Sequence, residues 1–124
     1  MTELTPEQTE RVLALARDLA RAGETTQLLE FLDHGLPVDA TDAGGNTLLM
    51  LAAYHGHAAT VSALVERGAD VDQRNDRDQS PVAGALFKGA DDVVAVLVAA
   101  GADLDAGTPT ARAAAELFGR THLL

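Results

Sequence analysis

The chain repeats itself every 33 residues. Gly35, Gly68 and Gly101 follow this period, as do Gly23, Gly56 and Gly89. Val38, Val71 and Leu104 share it, and so do Asp39, Asp72 and Asp105. A third set, Ala14, Thr47 and Ser80, is followed by Leu15, Leu48 and Pro81. A fixed period of this length implies supersecondary units that cannot bury their apolar faces alone and therefore stack on one another. Such a stack offers a long surface for a partner and implies no chemistry of its own.

The 124 residues allow one domain with a modest core. Hydrophobic residues make up 47% of the chain, yet aromatics only 3%. Abundant alanine favours thin helices whose axes approach closely. A formal charge of −10 argues against a general nucleic-acid or anionic-membrane binder, which needs a basic field. The same acidity serves solubility. Cysteine is absent, which removes disulfides and thiolate metal sites. The opening Met-Thr-Glu-Leu-Thr-Pro-Glu-Gln has no basic or apolar leader region, and no run reaches membrane-spanning length. A cytoplasmic location is expected.

The residues also place the helices. Thr5, Pro6 and Gln8 form a capping box with proline in the first helical position. Leu4, Val12, Leu15 and Leu19 predict an apolar face for the helix that follows, which should stop at Gly23. A second helix is expected over 24–34, burying Leu28, Leu29, Phe31 and Leu32. The next unit predicts a turn at Asp42–Asn46, a short helix over Thr47–Gly56 and another over His57–Arg67 that buries Val61, Leu64 and Val65. The third copy places its turn at Asn75–Gln79, and its helices from Ser80 to Gly89 and from Asp91 to Ala100. A last partial copy, Thr110–Gly119, lies 30 rather than 33 residues on and predicts a shortened turn. Its second helix is missing from this sequence, so Leu117, Phe118, Leu123 and Leu124 are expected to be buried by the tail folding back onto the 91–100 helix.

Thr47-Leu-Leu-Met-Leu-Ala-Ala, Ser80-Pro-Val-Ala-Gly-Ala-Leu and the two Gly-Ala-Asp-(Val/Leu)-Asp stretches resemble the ankyrin repeat. The resemblance covers residues 42–107 best. It implies an all-α solenoid of helix-turn-helix units joined by hairpin-like turns. A cap repeat would occupy 1–41, full repeats 42–74 and 75–107, and a truncated cap 108–124. Met50 and Ala83 stand where the family usually has a histidine, and Arg112 stands at a place that is normally apolar.

Sites of chemistry find little support. His55 and His57 alone are too few ligands for a metal, and His57 falls where the family commonly has a structural histidine. Asp70/Asp72 and Asp103/Asp105 suggest paired carboxylates, but they recur with the repeat and so read as parts of the arms. Gly44-Gly45 lacks the Gly-Lys-Ser/Thr of a phosphate loop, and Ser62 and Ser80 have no histidine set by spacing to activate them. No enzyme activity, cofactor or metal is expected.

The resemblance implies binding through the concave side, formed by turn tips and first-helix ends. Asn46 marks one tip, and Asp76, Arg77 and Gln79 mark the next. Tyr54 and His55, then Phe87 and Lys88, mark the helix ends, with Tyr54 and Phe87 one period apart. These eight residues are the expected contacts with a protein partner, bound by a monomer acting as inhibitor or scaffold. Two other readings are an acidic regulator of a basic or nucleic-acid-binding enzyme, and a self-associating structural protein.

Overall fold

The computed structural model describes residues 4–124. The first three residues of the expected N-terminal cap lie outside the described residues. Seven α-helices follow one another: α1 (Pro6–Ala22), α2 (Thr25–Asp33), α3 (Leu48–Tyr54), α4 (Ala58–Glu66), α5 (Pro81–Lys88), α6 (Asp91–Ala99) and α7 (Ala111–Leu117). A short 3-10 turn, Thr121–Leu123, comes last. Helices α1, α3, α5 and α7 pack in sequence as an inner layer, and α2, α4 and α6 as an outer one. Among the described residues there is no strand. The hairpin-like turns contribute a single isolated bridge, between Thr41 and Thr47.

Each inner helix begins with a hydroxyl side chain that accepts a hydrogen bond from an otherwise free amide. Thr5 accepts from Gln8, Thr47 from Met50, Ser80 from Ala83 and Thr110 from Ala113. Each such cap contributes about 1 kcal/mol. The Gln8 side chain accepts in turn from the Thr5 amide, so the expected capping box is present. Gly23, Gly56 and Gly89 turn the chain from inner to outer helix, and Gly119 turns it from α7 into the tail, all with φ between 67° and 78°. That left-handed state is cheap only without a Cβ.

The core is aliphatic and thin. Leu28, Leu48, Leu49, Leu64, Leu86 and Leu97 are fully buried, together with Val61, Val82, Val93 and Val94. Alanines 16, 20, 52, 53, 85 and 115 fill the narrow seams between inner helices. Burying a leucine or valine side chain contributes about 1.5–3 kcal/mol. The end repeats depart from the expected pattern. Leu4 and Leu15 are exposed, and α1 instead buries Ala16 and Ala20, because α1 has a neighbouring repeat on one side only. Leu29, Phe31 and Leu32 are half-buried rather than buried, and so is Val65 in the internal unit. At the other end Leu123 and Leu124 pack on the core, and the tail lies against α6 and α7. Arg120 fastens it with hydrogen bonds to both carboxylate oxygens of Asp91. Leu117 and Phe118, however, stay exposed, because the tail covers the outer side of α7 and they end its inner side.

The repeated aspartates stitch neighbouring units. Asp39 accepts from the Asp70 amide at 3.0 Å, and Asp72 from the Asp103 amide at 2.7 Å. Asp70 and Asp103 close their own arms on the amides of Asp72 and Asp105. Asp105, which accepts from no further arm among the described residues, pairs with Arg112 at 2.9 Å. Arg112 is therefore exposed on the open end of the stack although its counterparts Leu49 and Val82 are buried. His57 is equally structural: its Nε2–H donates to the Arg21 carbonyl at 2.7 Å, joining the first two units.

Candidate binding groove

The C-terminal ends of the inner helices align along one side of the stack. Tyr54 and Leu117 end α3 and α7, and Phe87 is the penultimate residue of α5. Phe87 is 63% exposed and Leu117 76%, with Tyr54 and Phe118 each at 39%. In a chain with four aromatics, three of them line this one surface. With the turn tips they enclose a groove of ≈680 Å³. Leu51, Gly84 and Ala114, at equivalent positions of α3, α5 and α7, line it between tips and aromatic ends. Phe87 and Phe118 meet edge to face, with ring centroids 5.6 Å apart. That geometry favours the rings beyond their burial.

The turn tips are held by side chains folded back on their own backbone. Asp42 accepts from the amides of Gly44 and Asn46, both at 2.9 Å. Asn75 accepts from those of Arg77 and Gln79, both at 3.0 Å. This is the reason Asp and Asn open such turns. Burial pushes the Asp42 carboxyl upward, but donors from Asn46 and Gly44 and the charge of Arg17 outweigh it and hold the pKa below 3.8. The tips also join each other, since the Asn75 side chain donates to the Asn46 side chain at 2.9 Å.

Six of the eight expected residues line the groove: Asn46, Tyr54, His55, Arg77, Gln79 and Phe87. Asp76 does not. It packs against the preceding tip, where a Cβ on Gly45 would lie 2.5 Å from its Oδ1, and its amide donates to the Gly44 carbonyl. Lys88 also lies outside the groove, in an adjoining cleft of ≈430 Å³ with Arg21, His55 and His57. Its ammonium sits 4.6 Å from the centroid of Tyr54, a cation–π contact that fixes the tyrosine ring. Burial first, then the charges of His57, Lys88 and Arg21, lower the His55 pKa from its ordinary value.

The residue that sequence reasoning passed over is Gly84. A helix-interior glycine is disfavoured by about 1 kcal/mol relative to alanine, so its presence in α5 was the available signal. A Cβ there would meet the Tyr54 ring at 3.7 Å and the Met50 sulfur at 3.9 Å. Its lack of a side chain widens the groove at the centre. Met50, Leu51, Ala114 and Pro109 are further lining residues that only packing brings there.

Comparison with known proteins agrees with this architecture. The family model described as ankyrin repeats (3 copies) matches residues 17–108, and the chain belongs to that family. A Pseudomonas aeruginosa protein named for its ankyrin repeats, PA3287, is 52% identical over 44 residues, covering 36% of this chain and 26% of that protein. The human oxysterol-binding protein-related protein 1 is 39% identical over 74 residues, covering 58% of this chain and 8% of that one. The chain thus spans about a quarter or less of the length of these relatives. The crystal structure of the human ASB11 ankyrin repeat domain superposes with a TM-score of 0.68 at 27% identity, covering 72% of this chain and 40% of that one. Ankyrin repeats are generally non-enzymatic modules for protein–protein interaction. No helix of the described residues is long and apolar enough to cross a membrane.

Proposed function

We propose that this chain grips a protein partner in its concave groove, acting as an inhibitor or scaffold. The observation that carries this reading is the exposure of Tyr54, Phe87, Leu117 and Phe118 around one ≈680 Å³ groove. Large apolar side chains left in water on one face are the surface a partner repays by covering. Binding hot spots favour aromatic residues in this setting. The acidic arms are a weaker candidate surface, because Asp39, Asp70, Asp72 and Asp103 are engaged by backbone amides.

The test uses a partner isolated on the full chain and measured by calorimetry. Tyr54→Ala and Phe87→Ala should each weaken binding by about 1–3 kcal/mol while far-ultraviolet dichroism stays unchanged. Folded variants that bind as the parent does would remove the groove from consideration.

A further inference from the structure

The groove differs from the rest of the chain in its charge. Acidic residues number 19 of 124, yet among the described residues none lines the groove or the cleft beside it. The cations show the same bias. Six of the nine Lys and Arg residues are in ion pairs, with Glu10, Asp18, Asp33, Asp78, Asp105 and Asp91. Among the described residues, Arg11, Arg77 and Lys88 form none. Two of these three stand at the binding face, Arg77 on the groove and Lys88 in the cleft, which Arg21 and two histidines also line.

We infer that the occupant of the groove is an acidic peptide segment of the partner, with an aromatic or aliphatic side chain seated over Gly84 and flanking carboxylates meeting Arg77 on one side and Lys88 on the other. The inference rests on the concave-face reading and adds its chemistry. An apolar side chain fits because Leu51, Gly84, Ala114 and Phe87 present carbon to it. Carboxylates fit because, among the described residues, neither cation is paired with a carboxylate, Lys88 resting only on the Tyr54 ring. Lys88 and Arg21 also act on His55 as positive neighbours, secondary to burial, in lowering its pKa. The net charge of −10 does not oppose this docking at close range. At physiological ionic strength charges are screened beyond about 8 Å, so a docked peptide senses the local face.

The test pans a random linear peptide display library on the full chain and measures the enriched peptides on three variants. Arg77 and Lys88 are exposed, so Arg77→Glu/Lys88→Glu should keep the fold, checked by circular dichroism. The inference expects enriched peptides that combine Asp or Glu with an aromatic or aliphatic residue. Their affinity should fall about tenfold on the double Glu variant, less on Arg77→Gln/Lys88→Gln, and also on Phe87→Ala. Panning on the double Glu variant should instead enrich Lys and Arg. Neutral or basic peptides that still lose affinity with Phe87→Ala would overturn the acidic occupant and leave the groove reading standing. Peptides indifferent to Phe87→Ala would overturn both. A library that yields no enrichment over bare support would also count against the acidic occupant.

Discussion

Gly23 and Gly56 occupy the same place one period apart, yet they should respond differently to alanine. Both hold left-handed backbone, at φ 73° and 78°, which costs a residue with a Cβ about 1–2 kcal/mol. Their surroundings differ. A Cβ on Gly23 would lie 2.6 Å from Nδ1 and 2.7 Å from Cγ of His57, whereas one on Gly56 would meet only the Ala90 Cβ at 4.0 Å. The His57 ring cannot withdraw freely, because its Nε2–H is tied to the Arg21 carbonyl at 2.7 Å. Moving it forfeits that hydrogen bond, worth about 0.5–1.5 kcal/mol. Gly23→Ala should therefore lose about 2–3 kcal/mol and Gly56→Ala about 1–2 kcal/mol. Gly68→Ala, with nothing within 4 Å, should lose about 1 kcal/mol or more from backbone strain alone. Urea unfolding followed by far-ultraviolet dichroism gives each value by linear extrapolation. A cycle with His57→Ala isolates the collision, since Gly23→Ala should then lose about 1 kcal/mol less than in the parent. Equal losses at Gly23 and Gly56, or no coupling to His57, would refute the reasoning.

Gly84→Ala should raise stability by up to about 1 kcal/mol through helix propensity, with its Cβ in ordinary contact with Tyr54 and Met50. It should weaken partner binding by narrowing the groove, and thermal unfolding beside calorimetry reads both effects. The Asp42 pKa is lowered in the folded state, so its contribution to stability is complete above pH 3.8 and is lost as pH falls through the folded value. Asp42→Asn should flatten the acid limb of an unfolding titration in that window, and an unchanged limb would contradict the assignment. Deleting residues 117–124 removes Leu123, Leu124 and the Arg120–Asp91 link and bares the α6 surface, so the unfolding midpoint should fall or the protein aggregate. Sedimentation should show a monomer for the 124-residue chain at micromolar concentration; a dimer that becomes monomeric on truncation would make the tail an association surface.

Much of the molecule was legible in the chain. Thr5, Thr47, Ser80 and Thr110 announced the helix starts because capping is a local hydrogen bond within three residues. The spacing of Gly23, Gly56 and Gly89 announced the turns because a left-handed backbone is a property of one residue. Burial was more legible inside the stack than at its ends, Val65 of α4 being the internal exception. Leu48 and Leu15 share the repeat position, but one is fully buried and the other 54% exposed, because the first has neighbouring repeats on both sides. The groove was half legible: Tyr54 and Phe87 stood out by period, while the contribution of Gly84, Pro109 and Ala114 was not.

By itself, then, the sequence determined the repeat, the helix limits and the α-solenoid, since these arise from short-range hydrogen bonding, backbone freedom and apolar periodicity. Only the tertiary structure decided which side chains remain in water and which charges find partners. The stack buries Leu49 and Val82 but leaves Arg112 at its open end, free to pair with Asp105. It packs Asp76 against the neighbouring tip while Arg77 beside it faces the groove. Burial and ion pairing depend on what the next repeat brings within a few ångströms, and that distance is set by packing between residues about 30 positions apart.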